Sequence, residues 1–438
     1  MALTQDVLAG VVQSVASGTL TQLYRSVKFP LTGVTDVNTI APQTRDILGT
    51  TQQLKRPKSI GEAQTINPRS SGATFTDPGY VFIPIEWDNL FVEGFNIYGI
   101  DQNIPQYVQD YSVSCAAAIG HSVDKYFYEK CFRNYTGIAA SGTVYYKGEL
   151  PVLQVVFKED SSGNLVDFTR DHLVWANQRL NKSEVPQPNR YACISPNAAG
   201  SYLISAPTDT GENFVGAQAG GVSMLTSGFP GFLNRHGLMV AEANTITEQE
   251  RVTDLGDGAA TCALSSPTAD TTVFLDGEMK ASNVPLGAVK ITLTVTAALN
   301  AGIAVGKIAR LGPDAGAAKA YGIILRVSGK DVWLVPYDAR GNKLVAAQII
   351  AGTDKFSIPQ INSVNTCHHS EYLAYLNAPL ARPFDQSILY GVANWRGLSI
   401  TTMTGNYQLE TVKESAACYF MTGCKPTDHR KAVLMLSA

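Results

Sequence analysis

Charge is scarce in this chain. Of 438 residues, 34 are Lys or Arg and 37 are Asp or Glu, 16% in all, where a soluble domain ordinarily carries about 25%. A net charge of −3 excludes a polybasic nucleic-acid binder. The seven cysteines, Cys115, Cys131, Cys193, Cys262, Cys367, Cys418 and Cys424, contain no CxxC. Neither a disulfide framework nor a zinc knuckle is indicated, and reduced, mostly buried thiols are expected. No run of 18 apolar residues exists, so no membrane span is expected. The start, Met1 to Asp6, lacks the basic and apolar parts of a signal peptide. The expectation is a chain made and folded in a cytoplasm, where the two N-x-[ST] matches at Asn134 and Asn181 carry no meaning.

Chemistry is scarce too. There is no G-x-S-x-G elbow. Gly302 to Ile308 is one residue short of a phosphate loop and ends in Ile, and Gly256-Asp257-Gly258 lacks a third glycine. His368 and His369, read on a helix, point about 100° apart, whereas paired helical metal ligands stand four residues apart. They read as surface or interface histidines, and Cys418 and Cys424 as two buried thiols able to meet across a β-turn. Glu371 and Asp385 have no partner visible from spacing. No catalytic residue, cofactor or metal site is assigned.

What the chain does hold is apolar and neutral polar. Hydrophobic residues make up 45%, with 19 Tyr, 16 Phe and 4 Trp, far more than a disordered chain carries. At roughly 150 residues per domain, two to four domains are expected. Gly, Ala, Ser, Thr, Asn and Gln replace the missing charge, which suits surfaces meant for partners.

Along the chain the pattern changes several times. Leu3, Val7, Leu8, Val11, Val12 and Val15 share one face of a helix of about a dozen residues, marginal unless it docks. Residues 31–100 are proline-rich, with strands expected at Thr51–Arg56 and Tyr80–Trp87 around the turn sequence Asn67–Gly72. A two-stranded arm is the natural reading, and its basic cluster Lys55, Arg56, Lys58 and Arg69 is the densest positive charge in the chain. A bare hairpin is marginal and leaves an edge open, so the arm calls for a neighbouring subunit. Pro105 to Arg133 reads as one helix about 43 Å long.

Next comes mixed α/β sequence. Helices are expected from Thr169 to Leu180 and from Pro196 to Ser205, with strands at Tyr191–Ser195 and Gly237–Ala241. From 252 to 355, short β runs (Thr272–Leu275, Val289–Val295, Tyr321–Val327, Asp331–Pro336, Leu344–Ile350) predict an inserted antiparallel barrel or sandwich. After it, a helix is expected at Thr366–Leu376 and strands at Leu398–Thr404, Ala416–Met421 and Ala432–Leu436.

This order of parts resembles the major capsid proteins of tailed bacteriophages, and among them the coat proteins of short-tailed phages that carry an insertion domain. Gly49 to Pro57 is similar to the basic first strand of that family's extended loop. Thr169–Ile194, with Leu173, Ala176, Leu180, Val185-Pro186 and Arg190, resembles its helix-to-strand passage. Gly397–Tyr407, Ala417–Gly423 and Ala432–Leu434 resemble its closing strands, although Cys424 departs from the pattern.

The resemblance implies an α+β chain of the Hong Kong 97-type fold with an inserted antiparallel β-barrel domain. Its parts would be an N-terminal arm (1–30), an extended loop (31–100), the spine helix with the first part of the peripheral and axial domains (101–251), the barrel (252–355) and the remainder (356–438). It further implies self-assembly as hexamers and pentamers into an icosahedral shell around double-stranded DNA, located in the virion and assembled in the host cytoplasm. Scaffolding, portal and decoration proteins would be further partners, and no membrane is involved. Lys55, Arg56, Lys58 and Arg69 would pair with acids of adjacent subunits, and Leu3, Val7 and Val11 would contact another. Nothing identifies a crosslinking lysine. An encapsulin-like bacterial compartment and a β-rich binding or adhesion protein remain the alternatives.

Overall fold

The computed structural model describes residues 5–33, 51–57, 80–87, 89–98, 105–133, 153–205, 232–269, 288–295, 298–314, 316–380, 388–395, 398–408 and 413–438. The expected strand Thr272–Leu275, the turn Asn67–Gly72, Asp385 and the contact residues Leu3, Lys58 and Arg69 lie outside them.

Two helices form one side of the core. The N-terminal helix runs Gln5–Ser26, longer than its apolar row suggested. The spine helix runs Pro105–Tyr128 and widens into a π-helical end at Glu129–Arg133, matching the expected span. Val15, Ala16, Leu20 and Leu23 of the first pack with Cys115, Ala116, Ile119, Val123 and Phe127 of the second. Glycine sets the close approach: a Cβ at Gly120 would stand 2.6 Å from Ser26 Oγ, and one at Gly18 3.2 Å from Ser112 Oγ.

The strands are β1 (Thr51–Pro57), β2 (Tyr80–Glu86), β3 (Asn89–Tyr98), β4 (Gln154–Phe157), β5 (Arg190–Ile194), β6 (Phe232–Arg235) and β7 (Leu238–Glu242). Then come β8 (Thr261–Ala269), β9 (Val289–Leu293), β10 (Ile308–Gly312), β11 (Ala320–Ser328), β12 (Asp331–Leu334) and β13 (Lys355–Ser357). The last are β14 (Ser363–His369), β15 (Leu373–Ala378), β16 (Leu389–Trp395), β17 (Leu398–Gln408), β18 (Lys413–Pro426) and β19 (Ala432–Ser437).

They make four sheets. β1 and β2 form a two-stranded ribbon. A five-stranded sheet has the order β15-β18-β17-β16, with β3 also on β18. Its inner face meets the helix pair: Leu398, Ile400, Cys418 and Phe420 join that core, and Phe95 of β3 stacks on Tyr111 of the spine at 4.7 Å. A six-stranded mixed sheet has the order β4-β19-β14-β5-β7-β6. Helix Arg170–Lys182 covers one face, with Leu173, Ala176 and Leu180 against Val433 and Met435.

The fourth sheet is a closed antiparallel barrel, β10-β11-β12-β9-β8-β13. It has its own core, including Leu264, Ile291, Leu311, Ile324, Leu334 and Phe356. Burying side chains of this size contributes about 1.5–3 kcal/mol each, and closure removes the open edges of a small sheet. The chain is thus α+β with an inserted antiparallel barrel.

Several local expectations are overturned. Thr366–Leu376 is no helix: it is β14, a short 3-10 turn (Ser370–Tyr372) and β15. Every residue of β14 is buried, because β19 and β5 flank it and both faces are covered. Such a strand has no alternation to distinguish it from a buried helix. Leu344–Ile350 holds a 3-10 turn at Ala346–Gln348 in place of a strand. β8, β10 and β13 complete the barrel where no strand was expected.

Candidate functional site

The ribbon follows a register from Thr51 opposite Glu86 to Pro57 opposite Tyr80. At its base, Ile85 and Trp87 pack on Ala374 and Leu376. No third strand joins it among the described residues. Pro84, opposite Gln53, lacks the N–H another strand would need. Lys55 pairs with Phe82 and Arg56 with Val81. The two basic positions are thus successive residues of one strand of the ribbon. Val7 and Val11 fall in the N-terminal helix, at steps of four before the buried Val15.

The joint between N-terminal helix and spine is polar at one point. Asp124 accepts the backbone N–H of Lys28 at 2.9 Å and of Phe29 at 3.1 Å. Burial pushes its carboxyl up to about 7, although those two N–H bonds pull the other way.

The barrel is anchored by buried polar groups. Arg310 of β10 donates from Nε to Glu159 Oε1 at 3.1 Å, with the side chains 10% and 2% exposed. Glu159 also accepts the Tyr321 hydroxyl at 2.6 Å and the Ala318 N–H. Arg310 is further held by the carbonyls of Pro313 and Gly316. The stem of the insertion is zipped: Gln249 and Ile361 exchange both backbone bonds, at 2.8 and 2.9 Å. The Gln249 amide donates to the Ile308 carbonyl and accepts its N–H, each at 2.8 Å. A cleft of about 420 Å³ opens at this junction between Asn164, Arg251, Thr261 and Gln360.

The histidine pair is buried, against its expected surface or interface place, because β14 is a central strand. His368 Nε2 lies 2.8 Å from Thr32 Oγ1, and His369 Nδ1 accepts the Glu371 N–H at 3.3 Å. Burial holds both rings below the ordinary imidazole value, His368 at about 3. Glu371 meets Lys431. Among the described residues no group of three His, Cys, Asp or Glu side chains could hold a metal, and no helix is long and apolar enough to cross a membrane.

Cys418 and Cys424 do not meet across a turn. Both lie on the one strand β18 (Lys413–Pro426); Cys424 faces Cys131 at the end of the spine, and Cys418 lies in the core cluster that also holds Cys115. Arg190 was legible only as part of a family pattern. It is 2% exposed and clamps the end of helix Arg170–Lys182, donating to Asn177, Asn181, Val185 O and Pro186 O. All four acceptors are neutral, so the charge is held by carbonyl dipoles at a helix C-terminus. The one-turn spacing of Asn177 and Asn181 was the available signal.

No family model and no curated protein matches the chain. Solved structures do resemble it. The capsid of cyanophage P-SCSP1u is 10% identical at TM-score 0.41, over 89% of this chain and 84% of that one. The capsid of Ralstonia phage GP4 is 8% identical at TM-score 0.41, over 89% and 83%. The capsid of cyanophage Pam1 is 11% identical at TM-score 0.39, over 93% and 87%. These likenesses are loose, and the chain's own arm, spine and barrel have to carry any reading of its function.

Proposed function

We propose that this chain is the major capsid protein of a tailed bacteriophage, a coat subunit of the Hong Kong 97 type. It self-assembles as hexamers and pentamers into an icosahedral shell that encloses double-stranded DNA, and its place is the virion. The observation that carries this reading is the combination in one chain of a separate two-stranded ribbon, a long spine helix backed by an N-terminal helix, and a closed barrel joined to a mixed sheet by a buried ion pair. The expected segments serve as its N-terminal arm (1–30), extended loop (31–100), first part of the core (101–251), inserted barrel (252–355) and remainder of the core (356–438).

The ribbon reaches a neighbouring copy, where Lys55, Arg56, Lys58 and Arg69 meet its acids, and Leu3, Val7 and Val11 dock on another. A container wall of net charge −3 does not condense DNA, so the DNA is driven in through a portal and no sequence is read. Scaffolding and decoration proteins are further partners, and the subunit's role is structural. Assembly takes place in the host cytoplasm. The inserted barrel favours a phage coat over an encapsulin-like shell.

Electron microscopy of the full chain, alone and with a scaffolding protein, tests the reading. Uniform hollow shells tens of nanometres across are expected. A persistent monodisperse monomer under assembly conditions would overturn it.

A further inference from the structure

β18 runs beneath the spine helix, and along that seam each of the two elements carries two cysteines. Cys131 Sγ lies 3.6 Å from Cys424 Sγ. Cys115 and Cys418 are buried in the same core cluster, between the spine and the five-stranded sheet. All four are buried thiols, and the two elements match in pitch. Cys115 to Cys131 covers about 24 Å of helix, and Cys418 to Cys424 about 20 Å of strand. The other cysteines have no such match: Cys193 and Cys367 lie in separate cores on the two faces of the six-stranded sheet, and Cys262 lies in the barrel.

We propose that this seam is a latent redox staple, in which Cys131–Cys424 and Cys115–Cys418 close into intrachain disulfides that fix the spine to β18 when a small two-electron oxidant reaches them. A disulfide needs the sulfurs at about 2.05 Å, so the first pair has to close by about 1.5 Å, within the reach of side-chain rotation. With a diazene as oxidant, one thiol adds across the N=N bond and forms an S–N bond. The second sulfur then displaces that nitrogen, forming S–S. Two electrons and two protons end on the nitrogens as a hydrazine. Cys418 is a ready starting point. Cys115 nearby pulls it below the ordinary thiol value, as do Thr402 Oγ1 at 3.5 Å and Thr19 Oγ1 at 3.9 Å. In a reducing cytoplasm the pairs stay open, and outside it they close. The bridges are intrachain and core-to-core, so the staple stabilises the subunit without joining copies. The inference rests on the fold of one subunit and stands or falls independently of the shell reading.

The test uses the full chain, purified reduced and treated with diamide under native conditions, then denatured, alkylated and mapped by mass spectrometry. Linked peptides Cys131–Cys424 or Cys115–Cys418 are expected, with Cys193, Cys262 and Cys367 still alkylated and an upward shift in Tm. Cys424→Ala should remove the first bridge and leave the second available. Should that variant fail to fold, Cys131→Ala reads the same loss. Seven alkylated cysteines after oxidation, or bridges joining other cysteines or separate chains in place of both pairs, would overturn the proposal.

Discussion

Arg310 and Glu159 form a buried ion pair across the junction between the inserted barrel and the six-stranded sheet, Nε to Oε1 at 3.1 Å. Removing one partner of such a pair leaves the other charged and desolvated, at a cost of about 3–5 kcal/mol. Glu159→Ala should therefore destabilise the whole subunit more than the double variant Glu159→Ala with Arg310→Met. Denaturant unfolding of the three proteins checks this. A double variant that loses as much as Glu159→Ala or more would show that no stranded Arg310 charge is relieved.

Gly322 offers a second check on the barrel. A Cβ at that position would stand 2.6 Å from the Val335 carbonyl oxygen and 2.9 Å from Leu334 Cδ1. Backbone cannot step aside cheaply, so Gly322→Ala should cost about 1–3 kcal/mol. Gly329, at φ +60° with nothing within 4 Å, is the control. Gly329→Asn should be nearly neutral, since Asn tolerates that conformation. A thermal melt in which both variants behave alike would contradict the packing at β11.

Acid should unfold the protein partly through two histidines. Burial lowers His368 from 6.5 to about 3 and His172 from 6.5 to about 4. His172 Nδ1 also accepts the Thr169 N–H, which requires an unprotonated nitrogen. A depressed folded value means that the unfolded state binds the proton first. This stability is complete above 6.5 and is lost as pH falls toward 4. Asp124 has the opposite sign: raised from 3.8 to about 7, it contributes fully below 3.8 and loses that contribution as pH rises through 7. Between 4 and 6.5, two protons oppose one, so stability falls with acid. His368→Gln should flatten that limb by roughly 1.4 kcal/mol per pH unit. An unchanged slope in urea titrations across this window would remove His368 from the account.

Much of this was legible locally. The spine from Pro105 to Arg133 has a start signal and a long apolar row, and Pro196–Ser205 opens on a helix-starting proline. What escaped was decided at a distance. β14 has no period because it is buried on both faces, and β8 is too rich in Ser, Thr and Pro to stand out (TCALSSPTA). Glu159 and Arg310 are 151 residues apart, and Cys131 and Cys424 are 293 apart. No local spacing can join such pairs; the topology does.

The ribbon is where the subunit and the assembly can be separated experimentally. β3 begins just beyond it and belongs to the five-stranded sheet, while among the described residues the ribbon meets the core beside β18 and through the small cluster of Ile85 and Trp87 with Ala374 and Leu376. Deleting residues 51–85 should therefore leave a folded subunit, judged by circular dichroism and a cooperative melt, that forms no closed shells in the microscope. Lys55→Glu with Arg56→Glu is the gentler version, since it keeps the backbone pairing. If both positions meet acids of other subunits, the reversal should cut shell yield. Wild-type yield should also fall as salt rises from 0.05 to about 0.5 M, over which screening shortens the reach of charge to a few ångströms. Normal shells from the deletion, or a charge reversal that leaves yield and salt dependence untouched, would show that the ribbon does not join one copy to the next.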